Sequence, residues 1–388
     1  KISEKDKKGN GYCGDKATWN LTSSGVLEIL GSGAMYDFTY PELAPWYFND
    51  KGERNVITGV DIGRNITHIG AYSFYNLGIS DTKFIEIGDN VTSIGAYAFA
   101  YSTVLKSVPL TENIEIIGNG AFEGCRGFGT IVIPDSVKTI EDFAFCECYR
   151  LVDVQFGSNV ESIGAWAFDK NIRLESISLS HKLVSIGEGA FSGCKILQSV
   201  TMGEYVNSVG VRAFHGCEKL KEFNTSLATA DKRGLIIDGE LKGFAPADIT
   251  EFAIPDNVTA IGAYVFYECK NLAGVTIPSS VRTIGELAFC MSSLQSVFIP
   301  HSVTTINASA FANCNSLESL TLANGVATIC EKAFYGCSGL TSPVYNAHCF
   351  AYLPKTFAGA YCVPDGIKLI AGDAFRECSG LTSIEIPN

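Results

Sequence analysis

Fourteen cysteines are the residues of this 388-residue chain whose type and spacing could first suggest chemistry. In an extracellular setting such a number would favour a disulfide framework. Most of them, however, stand three residues after a recurring phenylalanine, where Ser102, Asn171 and Ser292 replace cysteine in other copies. A position that accepts Cys, Ser or Asn favours a small, partly polar group in a turn. Side chains stacked in register also point in parallel directions, which disfavours a disulfide.

The sequence therefore predicts a ladder of free thiols. Its members are Cys125, Cys148, Cys194, Cys217, Cys269, Cys314, Cys337 and Cys378. Six further cysteines have no place in this pattern and stay unassigned: Cys13, Cys146, Cys290, Cys330, Cys349 and Cys362.

The sequence contains little that indicates metal binding or catalysis. Cys146-Glu147-Cys148 is the single close cysteine pair, and no second pair matches it. The five histidines follow no ligand spacing, and the sequence contains no nucleophile elbow, phosphate loop or dinucleotide fingerprint. The carboxylates are scattered, so no glycosidase-like pair can be nominated. We expect no catalytic, cofactor-binding or metal residues, and therefore no enzyme and no cofactor.

Charge and hydropathy exclude two classes of partner. The net charge of −12 and the pI near 5.0 disfavour binding to nucleic-acid phosphates or to an anionic membrane surface. No apolar run reaches the roughly 18 residues of a transmembrane helix. Hydrophobic residues make up 46% of the chain, which is ample for a core.

The elements that position these residues repeat with a period near 23. An aliphatic residue lies eight residues before each recurring phenylalanine, Ile or Val lies five before it, and a small residue, usually Ala, directly precedes it. Twelve aligned copies predict a solenoid whose stacked Phe and Ile side chains form buried ladders. The recurring phenylalanines are Phe74, Phe99, Phe122, Phe145, Phe168, Phe191, Phe214, Phe266, Phe289, Phe311, Phe334 and Phe375.

Each copy contains one strand and one tight turn. The segment 197–202 alternates so that Leu197, Val200 and Met202 point inward, as in a half-buried strand. The Ile-Gly-x-x-Ala-Phe segment has room for one helical or 3₁₀ turn. We expect a β-dominated solenoid with one parallel sheet and short helical turns.

Three regions follow along the chain. Residues 1–10 are expected to form a disordered tether. Residues 11–55 lie outside the period and predict a β-hairpin cap, with Trp19, Trp46 and Tyr47 covering the first core layer or, alternatively, forming a carbohydrate-binding patch. Residues 56–388 form the solenoid, with two enlarged coils near 225–250 and 343–363. In the first, Asp238-Gly239 between apolar runs predicts a two-residue hairpin.

The pattern Ile-Gly-x-x-Ala-Phe-x-x-Cys-x-x-Leu-x-x-Val-x-Ile-Pro resembles the BspA-like (treponemal-type) leucine-rich repeat of bacterial and protozoan surface proteins. The resemblance extends over about residues 56–388, and most copies carry the whole signature. It implies a leucine-rich-repeat solenoid with its sheet on the concave side. It also implies a secreted or cell-surface location and a role in adhesion or protein binding.

The concave sheet is the expected binding surface of such a solenoid. Its candidate residues are Phe84, Glu86, Val132, Asp153, Gln155 and Phe298. We expect a monomer that binds a protein or glycan ligand, such as a host-cell or matrix component. Two alternatives stay open: a structural spacer that holds another domain away from the cell, and an enzyme that uses the enlarged coils.

Overall fold

The computed structural model describes residues 7–77 and 84–387. The chain is a parallel-strand β-solenoid of about 14 turns. It divides into two compact units, Lys1–Cys217 (unit 1) and Glu218–Asn388 (unit 2). The one helix within the described ranges is the 3₁₀ turn Pro45–Tyr47, and no helix there is long and apolar enough to cross a membrane.

The predicted strands pair in parallel, and we call the sheets that they form the long-strand sheets. In unit 1, Gly59–Ile62 and Ile85–Ile87 belong to one such sheet, and the strands from Thr130–Val132 onward belong to another. Val200 and its equivalents point into the core, while the residues on either side face solvent. In unit 1 the strands span Gly59–Ile62, Ile85–Ile87, Thr130–Val132, Asp153–Gln155, Ser176–Ser178 and Ser199–Thr201. In unit 2 they span Glu251–Ala253, Gly274–Thr276, Ser296–Ile299 and Ser319–Leu322.

A second parallel sheet, the short-strand sheet, was not expected from the sequence. It consists mainly of two-residue strands that end at the Ile or Val five residues before each phenylalanine, so that this aliphatic side chain is buried. In unit 1 the strands span Gly33–Ala34, Ile66–Ile69, Ser93–Ile94, Ile116–Ile117, Thr139–Ile140, Ser162–Ile163, Ser185–Ile186 and Ser208–Val209. In unit 2 they span Ala260–Ile261, Thr283–Ile284, Thr305–Ile306 and Thr328–Ile329.

The turn between the two sheets corrects the expectation of a helical turn. In every copy the residues two before and two after the phenylalanine have a left-handed φ, as at Gly120 (+58°) and Gly124 (+67°) around Phe122. The alternating backbone directs every second N–H toward the following coil. Thus Phe122 N–H donates to Ala144 O at 2.8 Å and Gly124 N–H to Cys146 O at 2.8 Å. These bonds link coil to coil without a helix.

The phenylalanines form the predicted ladders. From Phe74 to Phe214 the ring centroids of successive copies are 5.1 to 5.7 Å apart and nearly parallel. From Phe266 to Phe334 they are 4.8 to 5.4 Å apart. The enlarged coil contributes Phe350, which stacks on Phe375 at 5.0 Å. The twelve copies counted in the sequence therefore undercount the turns, because irregular coils add their own members.

The cysteines three residues after each phenylalanine have a hydrogen-bonding role. Cys125 Sγ donates to Phe99 O at 3.2 Å, and Cys217 Sγ donates to Phe191 O at 3.2 Å. The replacements act alike: Ser102 Oγ donates to Phe74 O at 3.1 Å and Asn171 Nδ2 donates to Phe145 O at 3.0 Å. All fourteen cysteines are free in the structure, as the thiol-ladder prediction requires.

The N-terminal region contains the predicted hairpin, Ala17–Thr22 paired antiparallel with Val26–Gly31. A further strand, Lys7–Tyr12, precedes it and pairs with Ala17–Thr22. Residues 7–10 thus belong to a strand and not to the predicted tether, of which residues 1–6 lie outside the described ranges. Val26–Gly31 pairs in parallel with Gly59–Ile62 and so joins the cap to the long-strand sheet.

Both enlarged coils of unit 2 contain a hairpin. The first hairpin pairs in parallel with Ala260–Ile261 of the short-strand sheet, and the second pairs in parallel with Leu369–Ile370. The strand Glu222–Asn224 precedes the first hairpin, Gly234–Ile237 with Glu240–Phe244, whose Asp238 (φ +49°) and Gly239 (φ +77°) confirm the two-residue turn. The second hairpin pairs Val344–Tyr345 with Cys349–Tyr352. The remaining strands are Ala358–Cys362, Leu369–Ile370 and Gly380–Glu385.

Candidate functional site

Val132, Asp153 and Gln155 lie together on the exposed face of one long-strand sheet. Val132 is 59% exposed and pairs in register with Gln155 on the neighbouring strand. Gln155 Nε2 donates to Asp153 Oδ2 at 3.2 Å, so the two polar side chains partly satisfy each other. The face continues as hydroxyl groups from Thr130, Ser176 and Ser199, so Val132 is an isolated apolar side chain among polar ones.

Phe84 and Glu86 occupy a different sheet of unit 1. Phe84 is 40% exposed, and its ring lies over Gly59, where an added Cβ would be 2.4 Å from a ring atom. Glu86 is in register with Asp61, which pairs with Glu28 on the strand before it. Phe84 therefore fills the space above a glycine, and Glu86 ends an acidic row.

Phe298 lies in unit 2 on the exposed face of its own long-strand sheet. It is 57% exposed and pairs in register with Thr321. Ser296 lies on the same face of the same strand, and the neighbouring strands place Gly274 and Ser319 beside it. The six predicted residues thus occupy three separate surfaces, two in unit 1 and one in unit 2.

Most of the buried thiols have the opposite character from catalytic cysteines. Burial raises the pKa of Cys217 to about 12 and that of Cys269 to about 12, and it raises the pKa of Cys194 well above its ordinary value. A thiol that stays protonated is neither a nucleophile nor a metal ligand at neutral pH. Across residues 7–77 and 84–387, no group of three or more His, Cys, Asp or Glu side chains could hold a metal ion.

The cap aromatics cover the core and cannot form a carbohydrate patch. Trp46 is fully buried, stacks on Phe74 with 5.8 Å between centroids, and donates from Nε1 to Ser73 O at 3.0 Å. Tyr47 is also buried and donates its hydroxyl to Tyr75 O at 2.7 Å. Trp19 packs edge-on against Trp46. The carbohydrate-patch alternative for these three residues is wrong, because their ring faces are inaccessible.

A shallow groove lies along the short-strand sheet in each unit. The groove in unit 1 has a volume of about 340 Å³ and that in unit 2 about 450 Å³. In unit 1, Glu141 and Asp142 line the groove, but Glu141 Oε2 accepts Asn119 N–H at 2.9 Å and Asp142 Oδ1 accepts Ala165 N–H at 2.6 Å. These carboxylates satisfy backbone donors, so the groove offers no general acid–base pair.

The sequence reasoning missed a tyrosine cluster on unit 1. It consists of Tyr40, Tyr72, Tyr75, Tyr97 and Tyr101, with ring centroids 5.1 to 5.6 Å apart. Tyr101 donates its hydroxyl to Glu123. The available signal was the presence of tyrosine next to, or two residues away from, the recurring phenylalanine in two successive copies. We name these five residues the tyrosine cluster.

Comparison with known families identifies the repeat. A family model described as "BspA type Leucine rich repeat region (6 copies)" matches residues 53–129, 115–231, 240–362 and 346–388. These matches extend over most of the chain. No curated protein sequence matches it significantly.

Solved structures share the fold at low sequence identity. A leucine-rich-repeat protein from Bacteroides ovatus is 23% identical, with a TM-score of 0.55 over 97% of this chain and 100% of that one. The pneumococcal vaccine antigen PcpA is 15% identical, with a TM-score of 0.59 over 99% of this chain and 100% of that one. A leucine-rich cell surface protein from Faecalibacterium prausnitzii is 22% identical, with a TM-score of 0.52 over 85% of this chain and 93% of that one.

Proposed function

Because the chain belongs to the BspA-type leucine-rich-repeat family, we propose that it is a non-catalytic cell-surface or secreted protein that mediates adhesion by binding another macromolecule. It acts as a monomer and binds a host-cell or matrix protein, or a glycan displayed there. The description of the Faecalibacterium protein as a leucine-rich cell surface protein supports the location.

The observation that carries this proposal is the exposed face of the long-strand sheets. Val132 lies on the first strand of one in-register parallel sheet and Phe298 on the third strand of another, and each is more than half exposed. The neighbouring hydroxyl groups are held at a fixed strand spacing of about 4.8 Å. An extended sheet face of hydroxyl groups with isolated apolar side chains fits a macromolecule better than a small substrate, which needs a concave pocket.

The experiment measures saturable binding of the purified chain to epithelial cells and to immobilised matrix proteins. One variant carries Val132→Ser and Gln155→Ala, and a second carries Phe298→Ser. A matched control, Tyr205→Ala, removes an exposed aromatic ring that lies outside the long-strand sheets. We expect weaker binding by at least one sheet variant and unchanged binding by the control.

Three other results would change the proposal. Binding that survives both sheet variants would move the contact away from the long-strand sheets. Absence of binding to any cell or matrix component would favour a structural spacer. Hydrolysis of a peptide, ester or glycoside panel above background would contradict the non-catalytic role.

A further inference from the structure

The tyrosine cluster forms a continuous surface on unit 1. Tyr72 and Tyr97 stack at 5.1 Å, while Tyr75 contacts Tyr72 at 5.5 Å, Tyr101 at 5.6 Å and Tyr40 at 5.5 Å. Tyr40 is 63% exposed, and the other four rings are half-buried. The pairs involving Tyr75 are tilted by 48° to 69°, so part of each ring face stays open to solvent.

The fold does not require tyrosine at these positions. Tyr72, Tyr97 and Tyr101 have φ values of +55°, +54° and +58°, a conformation that bulky residues disfavour. Gly120 and Gly124 occupy the same repeat positions in the next copy, and the rings of Tyr97 and Tyr101 lie over them. Because the same φ recurs at this position with Phe143, Trp166 and Leu287, the backbone conformation belongs to the repeat, and the choice of tyrosine concerns the surface.

Two other tyrosines of the chain show what such a ring accepts. The guanidinium of Arg126 lies 4.8 Å from the ring centroid of Tyr149, and Arg126 Nη2 is 3.4 Å from Glu147 Oε2. Tyr149 is thus covered by an arginine that also contacts a carboxylate.

The second example lies in unit 2. The guanidinium of Arg376 lies 5.0 Å from the ring centroid of Tyr335. Tyr335 donates its hydroxyl to Glu377 Oε1 at 2.9 Å, and Arg376 Nη1 is 3.0 Å from Asp373 Oδ1. The combination of tyrosine, carboxylate and guanidinium therefore occurs in both units.

The tyrosine cluster has two of these three components. Tyr101 and Glu123 supply the hydroxyl–carboxylate pair. Within the described residues, no guanidinium lies over Tyr72, Tyr75, Tyr97 or Tyr101. Arg54, which donates to Asn76 O at 2.6 Å, has its guanidinium over the buried Tyr47.

We propose that the tyrosine cluster docks an arginine-bearing, cationic segment of a protein partner. The inference rests on the proposed binding function and names a second surface for it. A flat guanidinium can lie over one of these rings and donate to Glu123, just as Arg126 lies over Tyr149 beside Glu147 and Arg376 lies over Tyr335 beside Asp373. The net charge of −12 attracts such a segment. A lysine ammonium lacks the planar fork, so arginine is preferred.

The test measures the anisotropy of three labelled nine-residue peptides: three Arg-Gly-Ser repeats, and the same sequence with Lys or Gln in place of Arg. The main variant carries Tyr72→Gly and Tyr97→Gly. Glycine is already found at this repeat position in other copies, as Gly120 and Gly189. Phe143→Gly changes the same position outside the cluster and is the matched control. Near-ultraviolet circular dichroism checks that each variant is folded.

The arginine peptide is expected to bind saturably, and the double variant to weaken it about 10-fold, as the loss of two cation–π contacts implies. Glu123→Gln should weaken it about 3-fold, and Phe143→Gly should leave it unchanged. Equal affinity for the lysine peptide, equal loss in the control, or no saturable binding would overturn the proposal. Binding of neutral oligosaccharides that is lost in the double variant would assign the surface to glycans instead.

A sheet variant separates this proposal from the preceding one. The chain with Val132→Ser and Phe298→Ser should bind the arginine peptide normally. Cell binding without peptide binding would refute only the tyrosine-cluster assignment. Peptide binding without cell or matrix binding would refute only the adhesion function.

Discussion

Phe145 gives the sharpest test of the ladder as the source of stability. Its side chain is fully buried and stacks on Phe122 and Phe168, both at 5.2 Å. Truncation to alanine removes about 1.5–3 kcal/mol of apolar burial and two ring contacts of about 0.5–1.5 kcal/mol each. We therefore expect Phe145→Ala to lower the free energy of unfolding by about 3–5 kcal/mol, as for other large core aromatics.

The matched control is Phe143, two residues earlier in the same turn. It is half-buried, and the structure records no ring contact for it among the described residues. Phe143→Ala should cost less than about 1 kcal/mol. The assay is urea unfolding followed by tryptophan fluorescence, which reports on unit 1 because Trp19, Trp46 and Trp166 all lie there. Equal midpoint shifts for the two variants, or a shift for Phe145→Ala worth under about 1.5 kcal/mol, would refute the ladder argument.

Three further predictions concern the thiols. Cys125→Ser should cost under about 1 kcal/mol and Cys125→Ala about 1 kcal/mol more, because only serine keeps a donor for Phe99 O; equal urea midpoints would refute the hydrogen-bond role. Titration of the unreduced, unfolded chain should count fourteen free thiols; a count lower by an even number would reveal disulfides. Stability should fall above about pH 9, because unfolded thiols ionise there while burial keeps Cys217 protonated up to a pKa of about 12. Each such thiol should lower the free energy of unfolding by about 1.4 kcal/mol per pH unit in this range, with no such dependence below pH 8. Cys217→Ser should reduce the slope by the contribution of one thiol. An unchanged slope in that variant would contradict the raised pKa of Cys217.

The repeat allows the core residues to be predicted from the sequence. Phenylalanine at a 23-residue period, with Ile or Val five residues before it, predicts stacking because each copy must bury the same apolar set against its neighbours. The same spacing predicts the positions of the ladder cysteines. In the structure, Cys125 and Cys217 donate to the carbonyl of the phenylalanine in the preceding copy. Asp238-Gly239 likewise predicted its hairpin from turn chemistry alone.

The short-strand sheet and the left-handed turns could not be predicted in this way. A two-residue strand is too short to display an alternating pattern, so Ser185–Ile186 has no local signature. Tyr97, Phe143 and Trp166 adopt a left-handed φ that their residue types disfavour. Here the hydrogen bonds between coils override local preference, and these bonds exist only once the coils are stacked.

The candidate surface residues also include some that the sequence predicts and some that it does not. From the sequence, Val132 and Phe298 were identified as exposed apolar residues, because alternation in a strand determines which side chains leave the core. The sequence could not separate the buried Trp46 from the exposed Tyr40, since both lie outside the repeat. Periodicity determines which residues stack, whereas the accessibility of an aromatic ring and the assembly of five tyrosines into one surface depend on which coils pack beside it.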